Sequence, residues 1–213
     1  MLSKYEHVIW DWNGTLFDDT KLSLDIINGI LVRRKLKTLT LERYREIFTF
    51  PVHEYYKKAG LDFNKYSFEI LGNEWINEYE KRKYEAYLHT GVREILDYIS
   101  QNLKGQSILS AYSQNTLVEI IKYFKLEEYF SYLVGLDHIY ATSKIEIGKK
   151  LLIELRSKPN KVVLIGDTVH DYEVAKEIGI DCILIAKGHQ SKEKLLDCKV
   201  NVFDSLKNLN EFI

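Results

Sequence analysis

The chain has 213 residues, of which 46% are hydrophobic and 29% are charged. Lys and Arg (30) nearly balance Asp and Glu (31), so the net charge of −1 indicates no basic surface for nucleic acid. No apolar run approaches the ~18 residues needed to cross a bilayer, and the N-terminus lacks a signal-peptide pattern. We therefore expect a globular protein that binds neither nucleic acid nor a membrane.

Cys182 and Cys198 are the only cysteines in the chain. Two cysteines, one of them in an apolar run typical of a strand, fit reduced thiols better than a disulfide framework. We therefore expect a cytoplasmic protein. The composition does not decide between a monomer and a homodimer.

The first part of the chain begins with one strand and continues with helices. The predicted elements are a strand at 7–12 and helices at 19–36, 40–49, 51–60 and 65–87. Asp18 or Asp19 is expected to cap the first helix, and Pro51 fits the first position of the third. Because no strand is predicted between 19 and 87, this segment is expected to be an all-helical cap.

After residue 88 the sequence pattern alternates between helices and strands. In chain order the predicted elements are helix 90–103, strand 106–111, helix 114–124, strand 132–134, helix 142–156, strand 161–166, helix 169–178, strand 181–186, a helical turn at 191–196 and strand 200–203. Such alternation is typical of an α/β fold with a doubly wound parallel sheet, a Rossmann-like core. We expect this core to comprise residues 1–18 and 88–213, with the cap, residues 19–87, inserted between them.

Two acidic motifs follow two of the predicted strands. Asp11 directly follows the apolar run 7–10, and Asp167 follows the apolar run 162–165 after one glycine. The full motifs are Asp11-Trp12-Asn13-Gly14-Thr15-Leu16-Phe17-Asp18 and Gly166-Asp167-Thr168-Val169-His170-Asp171. Ligand sites in open α/β sheets gather at the carboxyl ends of the strands, so both motifs are expected to line one crevice. Carboxylates gathered there repel one another unless a cation neutralises them, and their oxygens suit Mg²⁺.

Together the two motifs resemble those of the haloacid dehalogenase-like phosphatases, which use an aspartate nucleophile, and most closely the phosphoglycolate-phosphatase-like branch. The resemblance extends over nearly the whole chain, including the cap. It implies Mg²⁺-dependent hydrolysis of a small phosphorylated metabolite through an aspartyl-phosphate formed on Asp11. Dehalogenase chemistry fits less well, because the pair Asp167 and Asp171 is typical of a metal-dependent phosphatase.

The resemblance also implies a role for individual residues. Asp167 would bind Mg²⁺ directly, together with Asp11 and the backbone carbonyl of Asn13. Lys144 would neutralise the nucleophile and the phosphate. Asp171 would bind the metal through water or hold this lysine, and it also fits an acid in the first turn of a helix, where the helix dipole favours it.

Two segments are candidates for binding the phosphate group. By resemblance, Ser110, followed by Ala111, would hydrogen-bond a phosphate oxygen, with Ser113 as an alternative that also fits a helix N-cap. Gly14 and Thr15 form a turn whose backbone N–H groups could cradle phosphate oxygens. The Asn-Gly pair at this turn is also a favoured hairpin signal.

Position 13 departs from the family pattern, in which a second aspartate protonates the leaving oxygen and later activates water. Asn13 cannot transfer a proton, and general acid–base catalysis typically contributes about 10²–10⁴-fold. Three consequences are open: a slow enzyme, a preference for acidic leaving groups such as those of acyl or aryl phosphates, or a proton supplied by another residue. The candidates for that residue are His53 in the cap, His170 and His189.

The cap is expected to close over the crevice and to set specificity. Its candidate substrate-facing residues are Phe50, Pro51, Val52, His53, Tyr55 and Tyr56, unless these residues pack within the cap. Two alternatives to a phosphatase stay open. One is a phosphotransferase that passes the phosphoryl group to an acceptor hydroxyl, and the other is a catalytically weak phosphometabolite-binding protein on the same fold.

Overall fold

A six-stranded sheet forms the centre of the structure, a computed structural model that describes residues 2–103, 105–136 and 144–210. The strands, in chain order, are β1 (His7–Trp10), β2 (Phe17–Asp18), β3 (Tyr87–Leu88), β4 (Gly105–Ser113), β5 (Tyr132–Leu136), β6 (Val162–Gly166), β7 (Asp181–Ile185) and β8 (Asn201–Phe203). The main sheet has the order β5-β4-β1-β6-β7-β8, and its strands pair in parallel. The predicted α/β fold with a parallel sheet is confirmed.

Helices cover both faces of this sheet. They are α1 (Thr20–Arg33), α2 (Leu41–Ile47), α3 (Val52–Lys58), α4 (Phe68–Arg82), α5 (Val92–Asn102), α6 (Gln114–Tyr123), α7 (Lys144–Leu155), α8 (Val169–Ile178), α9 (Lys192–Leu196) and α10 (Leu206–Asn210), with short 3-10 helices at Leu2–Lys4, Lys83–Glu85, Glu127–Tyr129 and Pro159–Lys161. Among the helices of the described ranges, none is long and apolar enough to span a bilayer.

The side chains of β1 point alternately to the two faces of the sheet, and the apolar core therefore has two layers. Val8 and Trp10 of β1 pack with α5 and α6 on one face, while Ile9 packs with α7 and α8 on the other. This is the period of two that a strand buried on both faces shows. The sheet is therefore doubly wound, as the sequence predicts.

The strand order reverses at β1, and this reversal determines where the site forms. The chain proceeds from β1 to β4 and β5 on one side, then returns to β6 on the other side of β1. The register pairs Trp10 with Ile165, so the carboxyl ends of β1 and β6 lie side by side. Ligands of open α/β sheets bind at such a switch point.

The insertion that carries α1 to α4 is joined to the core by two short strands. β2 and β3 pair antiparallel, with Phe17 opposite Leu88 and Asp18 opposite Tyr87. The prediction that no strand lies between residues 19 and 87 is wrong only at its last residue, Tyr87, where β3 begins. The predicted helix 65–87 is α-helical from Phe68 to Arg82. Two-residue strands leave no periodic signal in the sequence, because a distant partner specifies them. The helices agree with a cap, and its boundaries at 19 and 87 stay a prediction.

Two further boundaries differ from the sequence prediction. β4 continues past Ala111, the predicted strand end, to Ser113, and its register against β5 shifts near that end. Pro51 stands at the N-cap of α3 rather than at its first residue. α10 was not predicted, and residues 142–143 of the predicted helix 142–156 lie outside the described residues.

Gln106 on β4 is a buried polar side chain whose substitution tests the packing of the first core layer. Its Oε1 accepts from Trp10 Nε1 (2.9 Å), and its Nε2 donates to Leu96 O (2.9 Å) and to Ser100 Oγ (3.0 Å). Gln106→Met leaves the buried indole N–H of Trp10 unpaired, so we expect the free energy of unfolding to fall by about 1–3 kcal/mol. Chemical denaturation measures this loss. Gln101→Met, at an exposed position of α5, is the matched control, and an equal loss in both variants would contradict the argument.

Candidate active site

Three aspartates meet at the carboxyl edge of the sheet. Asp11 directly follows β1, Asp167 directly follows the neighbouring β6, and Asp171 lies in the first turn of α8. Each contributes an oxygen that lies within 4.8 Å of the others, and all three residues are buried. The structure thus brings the two acidic motifs together in one place.

Lys144, the first residue of α7, lies between two of these carboxylates. Its Nζ is 2.6 Å from Asp11 Oδ1 and 2.6 Å from Asp171 Oδ1. Burial would lower the pKa of this lysine, but the two carboxylates hold it above its ordinary value, so the ammonium form is favoured. Lys144 therefore contacts both the predicted nucleophile and Asp171.

The hydroxyl of Thr15 lies between two of the aspartates. Its Oγ1 is 3.3 Å from Asp11 Oδ2 and 3.2 Å from Asp167 Oδ1, within hydrogen-bond distance of both. A single hydroxyl that reaches both carboxylates restricts their rotation. Thr15 therefore orients the acidic residues through its side chain.

The backbone amides of the turn have acceptors within the protein. Gly14 N donates to Phe17 O (2.8 Å) and to Asp19 Oδ1 (3.0 Å), and Thr15 N donates to Trp12 O (3.3 Å). The predicted phosphate cradle of these two amides is therefore not formed in this arrangement.

Asp171 makes contacts through both of its oxygens. Its Oδ2 accepts from Thr168 Oγ1 (2.7 Å) and from the amides of Thr168 (3.0 Å) and Asp167 (3.2 Å), which completes the capping box of α8. Its Oδ1 accepts from Lys144. Burial opposes ionisation, but the lysine lowers the pKa of Asp171. The two sequence-based roles of this residue, helix-start acid and lysine partner, are therefore compatible.

Asp19 is a fourth buried carboxylate that the sequence analysis considered only as a helix cap. It stands at the N-cap of α1, yet its side chain makes no capping bond. Instead Oδ1 accepts from Gly14 N (3.0 Å) and lies 3.1 Å from His189 Nε2, while Oδ2 accepts from Asn13 Nδ2 (3.0 Å) and Tyr79 OH (2.6 Å). Sequence analysis missed this role because two of these partners are 60 and 170 residues away.

His189 forms a buried ion pair with Asp19. Burial alone would lower the pKa of the imidazole, but Asp19 raises it to about 9. Burial likewise opposes ionisation of Asp19, but His189 holds the pKa of that carboxyl below its usual range. The imidazolium donates from Nε2 to Asp19 and from Nδ1 to Tyr44 OH (2.8 Å), and its backbone amide donates to Asp167 Oδ2 (2.6 Å). Both ring nitrogens of His189 are therefore used.

Helix α2 of the cap is docked on the loop between β7 and α9, which carries this histidine. Arg45 donates from Nε to Gly188 O (2.9 Å) and from Nη2 to Lys187 O (2.7 Å). In the opposite direction, Gln190 Nε2 donates to Phe48 O (2.9 Å). The sequence gives no local signal for these contacts, because they join backbone carbonyls to side chains about 140 residues away.

His53, one of the predicted proton donors, makes its contacts inside the cap. Its ring stacks on Phe63 with centroids 4.2 Å apart, and its Nδ1 is 3.2 Å from Glu54 Oε1. Tyr55 and Tyr56 are buried. These contacts agree with the alternative in which the aromatic residues of this segment pack within the cap.

His170, the third candidate donor, lies at the start of α8. Its ring is 4.8 Å from that of Phe50 in the cap, and its Nδ1 is 3.5 Å from Glu173 Oε2. Phe50 therefore lies over the helix start that carries Asp171, which supports its predicted position near the crevice.

The two candidate phosphate-binding serines differ in what their hydroxyls do. Ser113 Oγ accepts from Thr116 N (3.3 Å) as the N-cap of α6 and also shares a hydrogen bond with Thr116 Oγ1 (2.8 Å). Ser110 is buried and its Oγ accepts from Tyr112 N (3.1 Å), which leaves its own O–H to donate. This difference favours Ser110 as a phosphate ligand, and Ala111 next to it is exposed.

The donor set fits a hard divalent cation such as Mg²⁺. Asp11, Asp167 and Asp171 offer oxygen ligands only, which suits this ion. With Asp19, four buried carboxylates face two cationic side chains in the described part of the site, and two negative charges stay uncompensated. Burial, with repulsion from neighbouring carboxylates, accordingly raises the pKa of Asp11 to about 8 and that of Asp167 to about 6. A divalent cation would compensate both charges.

This parallel sheet, its helical insertion and its cluster of aspartates with a lysine define a Rossmann-like α/β protein with an acidic site at the carboxyl edge of the sheet. Residues 8–185 match the haloacid dehalogenase-like hydrolase family, and this span contains both acidic motifs and the lysine. The chain belongs to the haloacid dehalogenase-like hydrolase family.

Individual relatives show how far the similarity extends. A phosphorylated carbohydrates phosphatase from Thermotoga maritima is 27% identical over 186 residues, covering 84% of this chain and 83% of that protein. The tyrosine-protein kinase PtkA of Mycobacterium tuberculosis is 23% identical over 184 residues, covering 85% of this chain but only 62% of PtkA. A solved structure described as a predicted phosphoglycolate phosphatase from Haemophilus somnus superimposes with a TM-score of 0.75 at 15% identity and covers 98% of both chains. The fold is thus one that proteins of the phosphoglycolate-phosphatase-like branch share.

Two glycines enclose the carboxylate of Asp167. A Cβ atom would lie 2.3 Å from Asp167 Oδ2 if built at Gly14, and 2.0 Å from the same atom if built at Gly188. Gly14 also has a φ of +80°, which disfavours other residues. Only glycine therefore fits at residues 14 and 188, because any side chain there would collide with the Asp167 carboxylate.

Gly188→Ala is expected to displace the Asp167 carboxylate and to weaken Mg²⁺ binding by about 10–100-fold, the range for residues that orient metal ligands. Thermal denaturation at increasing Mg²⁺ concentrations measures this effect, because a ligand that binds the native state raises its stability. Gly72→Ala in α4 is the matched control, since a Cβ there meets no atom within 4 Å. An unchanged Mg²⁺ response in Gly188→Ala would contradict the packing argument.

Proposed function

We propose that this protein is a cytoplasmic, Mg²⁺-dependent phosphatase of a small phosphorylated metabolite, similar to the phosphoglycolate phosphatases. The observation that carries the proposal is the position of Asp11, a buried carboxylate 2.6 Å from Lys144 and grouped with Asp167 and Asp171. A nucleophile of this kind needs neighbouring positive charge to approach a phosphate dianion, and the lysine supplies part of it. The phosphatase from Thermotoga maritima, which covers most of this chain, supports the same class of substrate.

In the proposed reaction Asp11 attacks the phosphorus atom and forms an aspartyl-phosphate. Lys144 offsets the charge that the carboxylate and the incoming phosphoryl group bring together. Thr15 keeps the attacking carboxylate in one orientation, and the Ser110 hydroxyl donates to a phosphate oxygen. Water then attacks the phosphoenzyme and releases inorganic phosphate.

Asp11, Asp167, the Asn13 backbone carbonyl and, through water, Asp171 would hold Mg²⁺, which when bound would supply the charge neutralisation that phosphoryl transfer requires. The protein residues determine where that charge is placed. Asp167 is fixed by the amide of His189, so the loop after β7 contributes to the geometry of the metal ligands.

A phosphotransferase that uses the same aspartyl-phosphate is the second candidate. Asn13 favours it, because an amide does not activate water and the phosphoenzyme can persist until an acceptor hydroxyl arrives. PtkA, a relative that matches 85% of this chain, is named as a kinase rather than a phosphatase, so proteins on this fold differ in the acceptor they use.

Asp11→Asn is expected to reduce phosphate release from acetyl phosphate and para-nitrophenyl phosphate by at least about 10³-fold, because the amide is not a nucleophile. Phosphate release with and without Mg²⁺, together with mass spectrometry of acid-quenched enzyme, measures turnover and the phosphoenzyme. Asp25→Asn, at an exposed position of α1, is the matched control and is expected to retain activity.

The same experiment distinguishes the phosphatase from a phosphotransferase and from a phosphometabolite-binding protein. A phosphoenzyme that releases phosphate only when an alcohol is added identifies the phosphotransferase. Absence of both turnover and phosphoenzyme with every substrate would overturn the proposed function and favour a phosphometabolite-binding protein.

A further inference from the structure

The side chain of Asn13 is an amide, which transfers no proton to a leaving group, and two acceptors hold it in place. Its Nδ2 lies 3.0 Å from Asp19 Oδ2 and 2.7 Å from Tyr79 OH. Because these two oxygens are only 2.6 Å apart, they lie in nearly the same direction from Nδ2, and one N–H group serves both. Asn13 therefore anchors the turn after Asp11 but supplies no proton to a leaving oxygen.

Asp19, the carboxylate next to Asn13, does not replace the missing acid. It is 1% exposed, and its oxygens face Gly14 N (3.0 Å), His189 Nε2 (3.1 Å) and Tyr79 OH (2.6 Å) in addition to Asn13. All these groups donate hydrogen bonds to the Asp19 oxygens, which are therefore engaged as acceptors. Asp19 therefore acts as an acceptor that positions Asn13 and the turn after Asp11.

The other cationic groups of the site are also engaged. His189 uses both ring nitrogens, on Asp19 and Tyr44. Lys144 is bound by Asp11 and Asp171 as an ammonium group. Among the described residues that contact Asp11 or Asn13, none is therefore free to protonate a leaving group.

We infer that this site acts on phosphoryl donors whose leaving group departs as a stable anion without being protonated, and that its substrates are acyl phosphates, the mixed anhydrides of carboxylic and phosphoric acids. This inference rests on the proposed function, because it requires Asp11 as the nucleophile. A carboxylate is a stable anion at neutral pH, whereas an alkoxide is not. The alkoxide leaving group of phosphoglycolate is therefore the kind that this site serves poorly.

Both chemical steps balance without a proton donor. In the first step an oxygen of Asp11 bonds to phosphorus, the bond from phosphorus to the acyl oxygen breaks, and its electron pair departs with the carboxylate. In the second step water bonds to phosphorus, the bond to Asp11 breaks and restores its carboxylate, and both protons of the water stay on the released phosphate. The products are a carboxylate and dihydrogen phosphate.

Asn13 and Asp19 form a matched pair of amide and carboxylate. A carboxylate at position 13 would stand about as close to Asp19 as the amide does now, 3.0 Å. Two buried carboxylates at that distance cannot both ionise, so Asn13→Asp alone creates a pair that shares a proton. The double variant Asn13→Asp/Asp19→Asn keeps one amide and one carboxyl group but exchanges their positions. It therefore introduces a carboxyl group at position 13 without adding a charge.

The test compares phosphoryl donors that differ in the acidity of the leaving group. The donors are acetyl phosphate, dinitrophenyl phosphate, para-nitrophenyl phosphate, phenyl phosphate and phosphoglycolate. kcat/KM reports the first chemical step, so it is expected to fall steeply as the leaving group becomes less acidic. kcat for the acidic donors is expected to be similar, since they share the same phosphoenzyme.

In the exchanged variant we expect kcat/KM for phenyl phosphate to rise by about 10²-fold or more, the lower end of what general acid catalysis contributes, while that for acetyl phosphate changes little. Asp19→Asn alone is the matched control, because it leaves the amide at position 13 and is expected to keep the steep dependence. Mass spectrometry must confirm that residue 13 is Asn in the wild-type protein, because Asn-Gly pairs deamidate. Trapping of the phosphoenzyme with acetyl phosphate shows that each variant is folded and competent.

Two outcomes overturn the inference while leaving the proposed function intact. One is a shallow dependence of kcat/KM on leaving-group acidity in the wild-type protein. The other is a loss of activity toward phenyl phosphate alone in His138→Gln or His170→Gln, since the histidine concerned would then be the missing acid; His138 lies outside the described residues. Failure of the proposed function is recognised differently, by the absence of phosphoenzyme and of turnover with acetyl phosphate itself.

Discussion

Repulsion among buried carboxylates is the constraint on which the rest of the site depends. Asp11, Asp167 and Asp171 are brought within 4.8 Å of one another by two adjacent strands and a helix start. Lys144 bridges the first and the third of these, and removing one partner of a buried pair leaves an uncompensated charge. The first residue of α7 therefore has to lie beside the ends of β1 and β6. This requirement links the position of the helix to the chemistry of the site.

A second buried ion pair extends the same constraint into the cap. Asp19 lies at the start of the helical insertion and His189 in the core, and each forms a hydrogen bond with a tyrosine of the insertion, Tyr79 on α4 and Tyr44 on α2 respectively. Removing either tyrosine hydroxyl would leave a buried polar group without that partner, at a cost of about 1–3 kcal/mol. The cap thus completes the polar network of the site as well as covering it.

The sequence predicted those parts of the site that follow local patterns. Apolar runs followed by an acid located Asp11 and Asp167, because parallel strands end at one edge of the sheet. Lys144 was located by resemblance, since a single lysine among many has no pattern of its own. Asp19 and Arg45 were missed for a physical reason. A polar residue on a helix gives the same signal whether it faces water or a buried partner distant in the sequence, and only the packed structure distinguishes the two.

The glycines of the motifs illustrate the same point at the level of the backbone. From the sequence, Gly14 suggested close approach of a phosphate. In the structure its amide is bound to Asp19, and its missing side chain makes room for Asp167 instead. Gly166 follows the same rule, because a Cβ there would lie 2.3 Å from the carboxyl carbon of Asp171. Bare backbone lets the carboxylates approach one another closely enough to share one lysine and one hydroxyl. The glycines therefore make room for the carboxylates of the protein itself, independently of any bound substrate.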